Sequence, residues 1–221
     1  RFQHEKGAEP SEVVVHINLH DNSPHLQQTA TGFFGVNLIY AAFYLRENQG
    51  DFLHSLMEGL GRERMEIDMI SCHGPAFKHF DNRILALKLV KFGYTEATIF
   101  DPSGKVIQPS EYLYKKHSFV LRGRFRPLMK INLDMLDKGL EAFKKEEEVE
   151  HKNISVLFEL TLRELEKHGE LNEQDFLERV DMLSTTGNKV IISNFMRYFT
   201  IAEYLDKFNR GKKIGMVLGR S

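Results

Sequence analysis

Three arginines occupy alternating positions in the segment LRGRFRPLMKINLDML, residues 121–136. In an extended strand, residues i, i+2 and i+4 lie on one face, so Arg122, Arg124 and Arg126 are predicted to point the same way. Guanidinium groups bind phosphate or carboxylate through paired hydrogen bonds. Asn132 is predicted to begin a helix whose free N–H groups attract anions. The segment therefore indicates an anion clamp.

The same arginines also have structural interpretations. Charged side chains on an exposed edge strand discourage aggregation. The many glutamates of the chain could equally pair with the guanidinium groups. The arginine face would then be a structural feature or a docking surface for an acidic protein partner.

A second candidate anion site is the segment HDNSPHLQQTATGFFGVN, residues 20–37, which is predicted to be a long loop after the first strand. Long loops in compact domains often bind ligands. Gly32 and Gly35 precede a predicted helix and could cradle a phosphate, although the Walker pattern is absent. Phe33 and Phe34 are predicted to pack in the core.

Two carboxylates and one histidine are the candidates for acid–base chemistry or for bridging a metal ion. Asp101 follows the predicted strand TEATIF, Glu159 lies near the end of NISVLFEL, and His25 lies in the predicted loop. Positioned groups of these types transfer protons in many active sites. Asp101 also begins DPSG, a type I turn pattern, which is the structural alternative for this residue.

Metal and cysteine chemistry have little support in the sequence. His16, Asn18 and His20 would share a strand face, but no H-E-x-x-H or paired-cysteine pattern is present, so no metal site is predicted. Cys72 is the single cysteine, which excludes an internal disulfide. It is adjacent to His73, yet neighbouring residues in a strand point to opposite faces, so a buried structural cysteine is predicted.

Strand patterns alternate with helical patterns of about 10–15 residues, which is typical of βαβ units. This alternation predicts an α/β fold with a mainly parallel, Rossmann-like open sheet, and an incomplete (β/α)8 barrel is the alternative. The seven main strands are predicted at residues 12–20, 65–71, 95–100, 117–125, 153–160, 189–194 and 213–219.

In either architecture, ligands bind at the carboxyl ends of parallel strands. Besides the candidates above, the polar residues at the predicted strand ends are His20, Asp21, Ser71 to His73, Thr161, Ser193, Asn194, Gly219 and Arg220.

A single domain over residues 1–221 is predicted, because strands of the same character continue along the chain. The charged run KKEEEVEHK, residues 144–152, is the one candidate linker and would divide residues 1–143 from 153–221. The chain starts without methionine and ends on a strand pattern, so we expect a piece of a longer protein.

Charge and hydropathy exclude several classes of partner. The 30 basic and 31 acidic residues nearly cancel, so there is no overall charge for binding nucleic acid. No apolar run approaches the ~18 residues that a bilayer crossing requires. The expected location is the cytoplasm.

Two resemblances add to these patterns. The stretch DNSPHLQQ, residues 21–28, resembles the phosphate-binding turn of nicotinate-nucleotide adenylyltransferases: Pro24 and His25 match, and Gln28 stands at the second histidine. GFFGVNLIYAAFY, DNRILALKLVKFG and YKKHSFVLRGRFRP are similar to an uncharacterised bacterial family often labelled nicotinate-nucleotide adenylyltransferase-like. That similarity implies a cytoplasmic bacterial protein.

Two functional hypotheses follow. The first is binding, with or without turnover, of a phosphorylated nucleotide-like metabolite; turnover would be nucleotidyl- or phosphoryl-transferase-like, with Mg²⁺ accompanying a nucleotide. The second is a noncatalytic interaction module. It would dock an acidic partner through the arginines or form a homo-oligomer through apolar helices such as residues 36–45.

Overall fold

The computed structural model describes residues 1–167 and 170–218, and within them the chain forms two compact units, Arg1–Glu96 and Ala97–Ser221. The boundary differs from the charged run 144–152, which lies inside the second unit, between a helix and a strand. No helix of the described ranges combines the length and the apolar character that crossing a bilayer requires.

The first unit is a two-stranded antiparallel sheet whose strands are connected through two helices and packed against helices. Its two strands pair from Glu12 with His73 to Leu19 with Met65, and a register shift follows His16. Alternate residues of the first strand, such as Val13 and Val15, pack against the core. The elements are β1 (Glu12–Leu19), α1 (Pro24–Tyr44), α2 (Gln49–Leu56), β2 (Met65–His73) and α3 (Asn82–Lys91).

Helix α1 replaces most of the predicted loop over residues 20–37, and that prediction is wrong. Ser23 is the extended N-cap and Pro24 occupies the first turn, where its missing N–H costs nothing. Gly32 and Gly35 lie inside the helix. Each glycine costs about 1 kcal/mol in a helix interior, so packing of the helix against the unit must outweigh local propensity.

The second unit contains the main sheet, and the prediction of one continuous sheet for the whole chain is wrong. Its elements are β3 (Ala97–Phe100), β4 (Val106–Ile107), α4 (Pro109–Tyr112), β5 (His117–Arg122), α5 (Lys130–Lys144), β6 (Ile154–Thr161), α6 (Leu162–Leu165), β7 (Glu166–Lys167), β8 (Glu170–Leu171), α7 (Glu173–Ser184), β9 (Lys189–Ser193), α8 (Tyr198–Asn209) and β10 (Ile214–Leu218).

Six strands form an open, mainly parallel sheet in the order β10-β5-β6-β9-β3-β4. The first four are parallel, whereas β3 is antiparallel to β9 and β4 is antiparallel to β3. The α/β class is therefore confirmed, and the described residues form no closed barrel, which removes the barrel alternative. The chain proceeds from β5 to β6 and β9, then returns to place β10 on the other side of β5.

Helix α5 is held close to the sheet at Gly139. A Cβ atom at this position would lie 2.5 Å from Cγ2 of Val217 and 2.9 Å from Cζ of Phe119, so only glycine permits this approach. The close packing fixes the N-terminal end of α5 beside the carboxyl end of β5, where the candidate site lies.

Candidate anion-binding site at the strand ends

A buried ion pair joins two neighbouring parallel strands at their carboxyl ends. Arg122, the last residue of β5, is the register partner of Glu159 on β6. Its Nε donates to Oε2 of Glu159 and its Nη2 donates to Oε1, each at 2.6 Å. The hydroxyl of Ser193, at the end of β9, also donates to Oε1 at 2.6 Å. Three adjacent strands are therefore tied together by one carboxylate.

The surroundings fix the guanidinium of Arg122 in one orientation. Glu159 and Ser193 are fully buried, and the side chain of Arg122 is 12% exposed. The ring of Tyr198 lies 4.7 Å from the guanidinium carbon, a distance suited to a cation–π contact. A buried charge needs such pairing, because its desolvation would otherwise be costly. Glu159 thus holds Arg122 in place.

A cleft of about 530 Å³ opens at this end of the sheet. It is bounded by the ends of β5, β6 and β9 and by the first turns of α5 and α8. The lining residues are Leu121, Arg122, Gly123, Arg124, Asn132, Met135, Thr161, Leu162, Arg163, Glu164, Asn194, Phe195, Met196 and Tyr198.

Basic side chains outnumber acidic ones on the wall of the cleft. It carries the guanidinium groups of Arg122, Arg124 and Arg163 and one carboxylate, Glu164. The N-terminal turns of two helices, α5 and α8, add partial positive charge from their free N–H groups. Of the polar residues predicted at strand ends, Thr161 and Asn194 line this cleft, whereas His20, Asp21 and Ser71 to His73 belong to the first unit.

The three arginines do not share one face, because β5 ends at Arg122 and the following residues leave the extended conformation. Phe125 is buried and has a φ of 45°, so the alternation of a strand is interrupted there. Arg124 pairs with Glu164 at 2.7 Å, and its side chain is 77% exposed. Arg126 pairs with Asp175 at 2.8 Å. The structural interpretation, in which arginines pair with acidic residues, describes these contacts.

Arg126 lies outside the cleft and lines a smaller recess of about 300 Å³. Arg124, Arg163 and Glu164 belong to both hollows. Buried Arg179 supports this segment by donating from Nη1 to the carbonyl oxygen of Arg124 at 3.0 Å.

Asn132 lines the cleft but, contrary to the prediction, it does not begin the helix. Helix α5 starts at Lys130 with Met129 as the N-cap, and Asn132 occupies the third helical position. Its Oδ1 accepts a hydrogen bond from the backbone N–H of Met129 at 2.9 Å. This contact is the half of a capping box in which the third helical residue accepts the N–H of the N-cap, and it stabilises the helix start.

Asp101 lies at the opposite end of the parallel strands from the cleft. Because β3 runs antiparallel to β9, its carboxyl end adjoins the amino end of β9. Oδ1 of Asp101 accepts hydrogen bonds from the backbone N–H groups of Ser103 and Lys105 and from the hydroxyl of Ser103, which builds the predicted turn. Burial raises the pKa of the Asp101 carboxyl, but these hydrogen bonds outweigh it and leave the pKa below its usual range.

The remaining candidates belong to the first unit. His25, Gly32 and Gly35 all lie within α1, and His25 is exposed on the first turn. The two glycines have helical backbone, and a Cβ added at either one would meet no atom within 4 Å, so they form no phosphate-binding loop. Gly219 and Arg220, the last predicted strand-end residues, lie outside the described residues.

A second polar cluster, which the sequence interpretation did not anticipate, occurs on the strand pair of the first unit. Buried Asp68 on β2 contacts Nδ1 of His16 at 2.5 Å and accepts a hydrogen bond from Nδ2 of Asn18 at 3.1 Å. Burial raises the pKa of the Asp68 carboxyl. The signal available in the sequence was an aspartate inside the apolar strand MEIDMIS.

Within the described residues, no group of three or more His, Cys, Asp or Glu side chains is arranged to hold a metal ion. Sequence reasoning also missed Arg163, Met196 and Tyr198 as part of the strand-end cleft. They follow strands β6 and β9 by only a few residues, which is where the loops that line such a cleft begin.

Comparison of the chain with protein-family models, with curated proteins and with solved structures found no match.

Proposed function

We propose that the second unit binds a phosphorylated, nucleotide-like small molecule in the strand-end cleft. The observation that carries the proposal is the charge around the cleft, where three guanidinium groups outnumber two carboxylates, Glu164 on the wall and Glu159 paired with Arg122, beside two helix N-termini. Arg122 is held rigidly by Glu159, whereas Arg124 is largely exposed and can exchange its surface ion pair for a ligand. Surface ion pairs are weak, so this exchange costs little.

The sheet topology favours one boundary of the cleft, the end of β5. In the order β10-β5-β6-β9, the chain moves one way from β5 to β9 and then crosses back to β10, so the strand order reverses between β5 and β10. In open α/β sheets, ligands bind outside the carboxyl ends of the strands at such a reversal. Arg122 is the terminal residue of β5 and therefore stands at this point.

Apolar side chains on the cleft wall suit the ring of a nucleotide-like ligand. Met135, Met196 and Tyr198 line the cleft next to the arginines. Met196 is 79% exposed and Tyr198 is 43% exposed, so both offer surface that a planar ring would cover. A ligand with an anionic group and a flat apolar part matches this combination better than inorganic phosphate does.

If the ligand is turned over, phosphoryl or nucleotidyl transfer fits the available groups best. Such reactions depend largely on positioning and on stabilising charge, which arginines supply. Glu159 would act as a positioning residue for Arg122, since it is fully buried and absent from the cleft wall. Mg²⁺ would arrive with the nucleotide.

The test is a thermal-shift screen of the whole chain against phosphate, ATP, NAD and nicotinate mononucleotide, each with and without Mg²⁺. A ligand that binds the native state raises the melting temperature by mass action. Arg124→Ala is expected to weaken binding of the best ligand by roughly tenfold to a hundredfold, the usual loss for one charged hydrogen-bonding group.

Arg126→Ala is the matched control, because this arginine lies two residues away, is also ion-paired and does not line the cleft. It should retain wild-type affinity. Equal losses in both variants, or no shift with any ligand at millimolar concentration, would contradict the proposal. The noncatalytic interaction module would then be the better hypothesis for the arginines.

A further inference from the structure

Helix α1 exposes a second apolar face in addition to the one it buries in the first unit. Its buried side includes Ala30, Phe34 and Ala41. Large apolar side chains on the other side are between 39% and 73% exposed: Leu26, Phe33, Val36, Ile39, Tyr40, Phe43 and Tyr44. At 3.6 residues per turn, these residues lie in one sector of the helix surface opposite the buried side, which from Phe33 to Tyr44 is an apolar stripe and nearer its start also includes His25, Thr29 and Gly32.

The exposed stripe is unusually large and carries no Asp, Glu, Lys or Arg. Residues 24–44 include no Asp, Glu, Lys or Arg. Side chains of this size that expose about half of their surface add up to on the order of 700 Å², above the ~300–600 Å² of the largest patch on a typical monomer. A helix that is apolar all round is normally buried on both sides.

We propose that the exposed face of α1 is the interface with a second copy of this chain, related by a two-fold axis. A face without formal charge requires a partner face without charge, because any charged group brought against it would lose its hydration unpaired. The same helix on a second copy provides such a face. An area of roughly 700 Å² also approaches the ~800 Å² that each partner contributes to a standard stable interface.

The shape of the stripe suits self-association. Gly32 lies in the same sector, between the positions of Leu26 and Val36, and a Cβ there would meet nothing within 4 Å. This opening one turn before Val36 can receive an aromatic ring of the facing helix. In a two-fold interface every such contact occurs twice, so one favourable contact contributes twice to the free energy of dimerisation.

Other occupants fit the stripe less well. Helices that bind a lipid surface carry a charged polar face rich in Lys and Arg, and α1 carries neither residue. An acidic peptide would find no cation on this helix to pair with. The experiment below distinguishes a dimer from lipid binding and from peptide binding.

The test is sedimentation equilibrium of the whole chain over a range of concentrations. The wild type is expected to dimerise, and Val36→Arg, which places a charge at the centre of the stripe, should weaken the dimer by at least about a hundredfold. Val14→Arg is the matched control, because Val14 is also a partly exposed valine of the first unit but lies on β1. It should dimerise as the wild type does.

Circular dichroism spectra and melting curves of all variants establish whether each one folds. If Val36→Arg is unfolded, Tyr44→Arg at the 73% exposed end of the stripe replaces it in the same assay. A wild type that stays monomeric at all concentrations overturns the proposal, as does a dimer that both stripe variants leave unchanged. Flotation of a monomeric wild type with phosphatidylcholine vesicles also overturns it, by assigning the stripe to lipid.

Discussion

Glu159 and Arg122 face each other on adjacent parallel strands and are joined by two hydrogen bonds of 2.6 Å. The carboxylate is fully buried and also accepts the hydroxyl of Ser193. Neither charge could stay at this position alone, because an unpaired buried charge loses its hydration without compensation. The pair therefore links the stability of the sheet to the geometry of the cleft.

Removing one member of this pair should lower the free energy of unfolding much more than removing both. Glu159→Leu leaves the Arg122 charge uncompensated and is expected to lower the free energy of unfolding by about 3–5 kcal/mol. The double variant Arg122→Leu with Glu159→Leu should recover most of that loss, since no charge remains buried. Urea unfolding of the wild type, the two single variants and the double variant measures the coupling. Strictly additive effects would contradict the buried-pair interpretation.

His117 is expected to make stability depend on pH. Its buried ring, at the start of β5, accepts backbone hydrogen bonds from Lys213 at Nδ1 (3.0 Å) and from Glu150 at Nε2 (3.2 Å). A neutral imidazole has one acceptor nitrogen, so these two contacts alternate between tautomers, and protonation removes both. Burial, followed by the positive charge of Lys212, lowers the pKa of His117.

The direction of this pH dependence follows from proton linkage. The unfolded chain, with an ordinary histidine pKa of about 6.5, binds the proton more tightly than the folded protein does. The contribution of His117 to stability is therefore complete above about pH 6.5 and is lost as the pH falls through the folded-state pKa. His117→Gln should show a shallower decline of unfolding free energy over this range in urea titrations at several pH values. Identical pH slopes for wild type and variant would rule out this role.

Cys72 should be chemically inert in the folded protein. Its side chain is buried on β2, and burial raises the pKa of the thiol to about 12. Because the thiolate is the reactive form, a disulfide reagent at about pH 8 should modify the native protein very slowly and the denatured protein quickly. Lys138→Cys, on the exposed side of α5, provides a thiol that should react in the native state. Rapid labelling of native wild type would show that β2 opens or that Cys72 is accessible.

The local features of this protein could be predicted from its sequence. Asp81 caps α3 by accepting the N–H of Arg83, and Gly93 ends that segment with a φ of 73°; an aspartate before a helical pattern and a glycine after it are the usual signals of a helix start and end. DPSG forms the expected turn, closed by the N–H of Gly104 donating to the carbonyl of Asp101 at 2.9 Å. These outcomes depend on contacts among residues close in sequence, so short patterns contain the necessary information.

The candidate site depended on contacts between distant parts of the chain. Strand periodicity predicted β3, but only its pairing with β9 decided that it runs antiparallel and carries Asp101 away from the cleft. Likewise, alternation predicted that the three arginines share one face. Instead each pairs with a different, distant acidic residue: Arg122 with Glu159, Arg124 with Glu164 and Arg126 with Asp175. The sequence thus determined the α/β class, the cap of α3 and the DPSG turn, because those follow from local conformational preference. Tertiary structure decided strand direction and charge pairing, because both depend on which distant residues the packed sheet makes neighbours.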